Sequence, residues 1–559
     1  MDTKIALESG NLASWDVVAP LDMTMEDASP AKTRAILIQF PACAEFSHTF
    51  DYIGEYLIRA TLAESGEVQT FTVTSKIIRF ELRTLSEAHR TIYFDALHTF
   101  YNTGQEEGEL KFGPAYMSLQ SLLRQHLYGA ASKDCDHWHD DAGILNHHIG
   151  ITWQMEKSLR MINPETAAHY WDYTIESFDG VAWYDSVIFD DNWYGRNSPS
   201  NHDHVIDTGM WAYTRVMEKA WLFSNITNPY GLLRSPWNTN PTPFLMRHNK
   251  TLGVLGDAYS AFPQCSDFAE LLSVGNSSYA EISQKVNGQL HGSVHIMVGG
   301  HWGLSSKWDE ATKALGCVAD KFLLFSKSLW RQGYIRVPAL CSSDTPAEEC
   351  RSTCPDAILA NLTASEVLSK SQFDPDFFGA HASANCNEME MKDILSEYGL
   401  DTADLLQELC SIGYPGEMFS SAAPQDPLFW PLHGNTERYV QLLRLLNDRG
   451  DFKFDLSWGY DHVVSTSDTH IVCDWSGVDT DGTGMPNCTN AVCDGHKADD
   501  LLPFSGLLPD QGSKLFTNEE FVSISAPSNI DLPYAYDSLQ TWNGCQNASM
   551  LTQAGVQIR

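Results

Sequence analysis

Residues 290–300 read LHGSVHIMVGG, and residues 418–438 read MFSSAAPQDPLFWPLHGNTER. In the first stretch His291 and His295 stand four residues apart. On an α-helix such residues share one face, so both imidazoles can reach one ion. No Glu follows His291, so this is not the HExxH of a zinc protease. The second stretch carries a lone histidine, His433, beside Trp430 and Pro431. Upstream lies a third group: His137 and His139, then His147 and His148. The segment from Leu145 is helical in pattern, so His148 faces inward only if Ile151 or Thr152 does too.

Outward from these motifs the period of the apolar residues changes once. Arg34–Phe40, Phe50–Thr61, Val68–Thr74 and Lys76–Leu82 are rich in β-branched and aromatic residues, and predict strands, with a hairpin turn at 64–68. From Ser86 the period becomes helical. Helical patterns follow at Ala115–Leu127, Leu145–Ile162, Asp207–Phe223, Tyr279–Met297, Ala311–Trp330 and Thr436–Leu446. The expected organisation is an N-terminal β module over 1–85 and a mainly α domain over 86–450. A Cys-rich insertion falls at 304–415, and a loop- and strand-rich C-terminal covering region at 451–559.

Of 559 residues, 36 are Lys or Arg and 72 are Asp or Glu, a formal net charge of −36. That balance argues against nucleic acid as a partner, since phosphate binding needs clustered cations. No run of about 18 apolar residues is present, so no membrane span is predicted. Ten of the 13 cysteines fall between Cys317 and Cys545, which looks like disulfides pinning long loops. Six N-x-[ST] sequons add weight to a secreted or luminal protein. The opening MDTKIALESGNLASWDVV has no apolar core of a signal peptide, so either a leader is absent from this chain or the protein is intracellular.

The motifs together resemble one family. His139 and His148, followed by Met155-Glu156 and His169-Tyr170-Trp171-Asp172-Tyr173, resemble the first copper half-site of tyrosinases and related type-3 copper proteins. Leu290–Gly300 resembles the start of the second half-site, Phe244–Arg247 the stretch between them, and Met418–Arg438 the end of the second. The resemblance runs in order over residues 86–445. It implies a four-helix-bundle core and two copper ions. Their ligands would be His126, His139 and His148 at one ion, and His291, His295 and His433 at the other. His126 fits best as the sixth ligand; His98 on the preceding helix competes. Asp426, Glu437 and Arg438 are candidates for holding ligand histidines in place, or else a helix cap and a surface ion pair.

The resemblance implies oxidation of phenols or catechols to o-quinones by O2, on a small phenolic substrate. Monophenol hydroxylation is associated in the family with an Asn directly after the first histidine of the second half-site. Gly292 stands there, and Glu281 is the nearest upstream carboxylate, so catechol oxidation is the safer expectation. No Cys lies two residues before His139; Cys135 is four away, so the thioether of some members is doubtful. Tyr534 and Tyr536 resemble the aromatic placeholders that cover some such sites, or are strand packing. The competing readings are a hemocyanin-like O2 carrier without turnover and a metal-free binding protein. Oligomeric state and disulfide pairing are open at this level.

Overall fold

The computed structural model describes residues 2–6, 13–18, 36–50, 53–130, 138–139, 142–180, 182–216, 242, 244–250, 261–273, 277–303, 352–359, 361–370, 388–411, 413–459, 488–489, 492–493, 497–508 and 511–545, with 308, 311, 326, 329 and 334–335. The expected helix at Ala311–Trp330 lies almost wholly outside them.

The N-terminal strands are β1 (Asp2–Ala6), β2 (Ala13–Val18), β3 (Ile36–Cys43), β4 (Glu45–Thr49), β5 (Gly54–Leu62), β6 (Val68–Ser75) and β7 (Ile77–Arg79). Four of them form an antiparallel sheet in the order β3-β2-β5-β6. Trp15, Val17, Tyr56 and Ile58 alternate onto its inner face and make a separate small core. β1 and β2 lack the long alternation of β5 and β6, and sequence reading alone passed them over.

The helical part contains α1 (Glu87–Asn102), α2 (Gln105–Phe112), α3 (Leu119–Gly129), α4 (Gly143–Ile162), α5 (Thr174–Asp179), α6 (Cys265–Ser273), α7 (Tyr279–Lys285) and α8 (Ser293–Gly299). A longer helix, Phe429–Arg449, carries His433. α4 is buried almost throughout, with Ile151 and Thr152 both inside, as an inward His148 requires. The main core joins α1, α3, α4, the α7–α8 run and the His433 helix. Leu502, Phe504, Phe516, Phe521, Tyr534 and Trp542 belong to the same core, so the C-terminal stretch is built into the fold as well as lying over it.

Two details differ from expectation. Residues 207–216 are turns, not a helix: Gly209 and Tyr213 have φ of 76° and 55°, which no α-helix accommodates. The α7–α8 run is helical as expected, but Val286–Gly292 within it is a π segment. Such wide turns are rare and occur often at functional sites.

Disulfides join Cys265 to Cys545 and Cys354 to Cys410. The first ties α6 to the C-terminal stretch. The second lies in the predicted insertion, whose described residues form a second core with Ile296 and Phe419. Cys135 lies outside the described residues. No described helix is long and apolar enough to cross a membrane.

Candidate metal centre

Six histidines converge as two triads. His126 comes from the last turn of α3, His139 from the connection before α4, and His148 from the first turns of α4. Their ring centres are 5.1–5.4 Å apart. His291 ends the π segment, His295 lies one turn on in α8, and His433 sits in the first turns of its helix. In this second triad the three Nε2 atoms stand 2.8, 3.1 and 3.2 Å apart. The triads face each other, with His148 and His433 stacked at 4.3 Å and 11°. His98 lies outside both: it is bonded to Asn102 and packs against Trp211.

Backbone carbonyls orient the rings. His126 Nδ1–H donates to Ser421 O, His148 Nδ1–H to Ile144 O and His295 Nδ1–H to Met418 O, each at 2.8 Å. The Asn287 carbonyl lies beside His291, whose buried Nδ1 makes no hydrogen bond. A carbonyl only accepts, so His126, His148 and His295 carry their proton on Nδ1 and present a bare lone pair at Nε2. The short turn at 417–421 thereby sets one histidine of each triad.

These features fit metal ions. Lone pairs 3 Å apart repel one another unless a cation lies between them. His148 Nε2 is buried with no hydrogen-bond partner. Burial, then the neighbouring histidines, holds His148, His291 and His433 well below the usual histidine range, so all three are neutral imidazoles at pH 7. Three neutral imidazoles per ion suit copper.

The other expected site residues are placed as follows. Asp426 is fully buried and pairs bidentately with Arg247, at 2.6 and 2.7 Å. It also accepts the Leu428 N–H, just before the His433 helix. Glu437 meets Arg79 at 2.7 Å, and Arg438 holds the Ser538 and Thr541 carbonyls. They brace the helix that bears His433, while the hydrogen bonds that orient the rings come from carbonyls. The ion pairs at Asp426 and Glu437 are buried, not on the surface. Glu281 is exposed and corrects the catalytic expectation: its carboxylate accepts the Ser278 N–H in a capping box that starts α7. Tyr534 and Tyr536 also depart from the placeholder expectation. Their strand, Tyr534–Tyr536, runs parallel to β7. Tyr534 donates to Glu437 and stacks 3.4 Å from the Arg79 guanidinium, while the Tyr536 hydroxyl accepts from Arg79. Both rings are seated by that buried charge network, and no described ring contact joins them to the six histidines.

Two residues escaped the sequence reading. Phe429 packs on His126, His148, His295 and His433, at 4.2–6.0 Å between ring centres, and so wedges both triads. Its only signal was its place four residues before His433. Asn287, four residues before His291, donates from Nδ2 to the His139 carbonyl at 2.8 Å. Lying one turn before His291 on the same helical run, it ties the second triad's helix to the first triad. Its carbonyl also explains Gly292: a Cβ there would lie 2.5 Å from Asn287 O.

The family described as the common central domain of tyrosinase matches residues 91–313. The match takes in five of the six histidines and stops short of His433. No curated protein matches the chain.

Proposed function

We propose that the chain, whose residues 91–313 match the common central domain of tyrosinase, oxidises catechols to o-quinones at a binuclear copper centre, with O2 reduced to water. The observation that carries this reading is the second triad. Three imidazole nitrogens crowd within 3.2 Å of one another, an arrangement that a metal ion would hold together. His126, His139 and His148 would hold one ion, and His291, His295 and His433 the other. When bound, the copper pair supplies the redox step, taking two electrons from each of two catechols and delivering four to one O2.

The chain's own part is positioning. Carbonyl-anchored rings keep their geometry through the redox cycle, because their rotamers are set by hydrogen bonds and by Phe429. The close apolar wedge at Phe429 excludes water from one side of the site. Gly292 leaves no side-chain amide beside His291, and Glu281 is committed to its helix cap. Both favour diphenol oxidation over hydroxylation of monophenols, whose proton needs a base. The disulfides among the described residues and the sequons fit a secretory, oxidising route.

The test is copper analysis together with the near-UV absorption of the oxygenated protein and turnover of 4-methylcatechol. Two ions per chain with turnover are expected, and His433→Ala should remove one of them. Oxygen binding without turnover would instead make the protein an O2 carrier. A chain that retains no copper after reconstitution would overturn both readings.

A further inference from the structure

One N-x-[ST] sequon lies wholly within the described residues: Asn361-Leu362-Thr363. It occupies the turn between two short helices of the Cys-rich insertion, Asp356–Leu359 and Ala364–Lys370. The Leu362 N–H donates to the Leu359 carbonyl at 2.8 Å and closes that turn. Leu362 packs against the second core, while Asn361 and Thr363 on either side of it are exposed. The buried middle residue thus fixes the tripeptide with both of its polar side chains outward. Thr363 also starts the next helix: its Oγ accepts the Glu366 N–H at 3.2 Å, and its own N–H donates to the Glu366 carboxylate at 2.7 Å. A few residues upstream, Cys354 is joined to Cys410. Disulfides form and persist in oxidising compartments, and sequons are glycosylated in secreted proteins, so the two marks belong to one route.

The sequon that begins at Asn249 is placed differently. Asn249 is half-buried, and the residues on either side of it are laced to the end of α8. His248 N–H donates to Gly299 O at 3.0 Å, and His301 N–H to Lys250 O at 2.7 Å. A glycan is bulky and belongs on a free surface, and one at Asn249 would have to part that pairing. Asn225, Asn276, Asn487 and Asn547 lie outside the described residues.

We propose that Asn361 is an N-glycosylation site and that Asn249 stays bare. The sugar donor is an oligosaccharide on a polyisoprenyl diphosphate. Asn361 Nδ2 bonds to the anomeric carbon, the bond from that carbon to the diphosphate oxygen breaks, the diphosphate leaves with the electron pair, and Nδ2 gives up one proton. The attached glycan covers the partly buried Leu359 and Leu362 at the turn. The inference rests on the secretory, oxidising route proposed above and not on the copper chemistry.

The test is peptide mapping of the protein purified from its own cells. Peptide N-glycosidase in heavy-oxygen water converts each glycosylated Asn to an isotope-marked Asp. The mark is expected at position 361 and not at 249. Alkylation of the same sample without reductant reports the thiols, with Cys354 and Cys410 expected to be blocked. Blocked cysteines with no mark at 361 overturn this inference and leave the route standing. Alkylated Cys354 and Cys410 with no mark at 361 overturn both. A mark at 249 overturns the selectivity. In chains expressed through a secretory pathway, Asn361→Gln loses the mass of one glycan and Thr363→Ser, which keeps the hydroxyl, retains it. An Asn361→Gln chain of undiminished glycan mass would show that no sugar is carried there.

Discussion

Replacing Asp426 with Asn tests how the His433 helix is held. Arg247 and Asp426 are both fully buried. The guanidinium spends two N–H bonds on the carboxylate and two on the Tyr194 and Gly195 carbonyls. Asn at 426 keeps the shape, removes the charge and turns an NH2 towards one guanidinium N–H. Arg247 is then a buried cation with only carbonyls for partners. Breaking one side of a buried pair costs about 3–5 kcal/mol. At roughly 1 °C per kcal/mol for a chain of this length, this is a fall in melting temperature of about 3–5 °C. Copper should also leave faster, because Asp426 accepts the Leu428 N–H that leads into the helix carrying His433. Thermal unfolding by circular dichroism and copper loss to a chelator measure the two effects. The Arg247→Met/Asp426→Leu variant removes both charges and should recover part of the loss. An Asp426→Asn protein melting within about 1 °C of wild type would refute the argument, as would a double variant no better than the single.

Three further outcomes follow from the same structure. Asn287→Ala removes the hydrogen bond from the π segment before α8 to the His139 carbonyl, and should speed copper loss about 10-fold, the usual scale for groups that hold ligands; an unchanged chelation rate would remove Asn287 from the site. Tyr534→Phe deletes a hydrogen bond to the ionised Glu437, costing about 1.5–3 kcal/mol, and should lower the melting temperature while leaving 4-methylcatechol turnover unchanged; a gain in turnover would restore the placeholder role. His169 accepts the Phe80 N–H at Nδ1 and is driven by burial from the ordinary 6.5 to about 3. The unfolded chain therefore binds a proton that the folded chain refuses, so this contribution is intact above about pH 6.5 and is lost as pH falls towards 3. His169→Gln keeps an acceptor with nothing to protonate, and its stability should fall less than wild type's between pH 7 and pH 4.5; identical slopes would show that His169 does not titrate in this way.

Much of the centre was readable because its chemistry is local. His291 and His295 share a helix face whatever the rest of the chain does, and the inward set of His148 followed from the apolar residues one turn on. The period change at Ser86 separated strands from helices for the same reason, since hydrogen bonding within an element and the burial of one face leave a repeat in the residues themselves. Misreadings came where a short pattern had two physical outcomes. The apolar spacing at 207–216 suited a helix, but left-handed backbone at Gly209 and Tyr213 breaks it into turns. Glu281 stood at a distance from His291 that suited a base, and the capping box claimed it. The aromatic pair at Tyr534 and Tyr536 suited a plug, and Arg79 drew it into a buried charge network instead.

By itself the sequence determined the residue types of the centre, its two halves and the family they resemble, because ligand chemistry and helical spacing are properties of short segments. Tertiary structure decided the rest. That His433 completes a triad with residues about 140 positions away, that carbonyls at Met418 and Ser421 choose the tautomers, and that Phe429 and Asn287 join the two halves all depend on contacts between distant segments. A hydrogen bond to a backbone carbonyl leaves no trace in residue identity, since every residue has that carbonyl. Only the packing of the chain selects which one meets which ring.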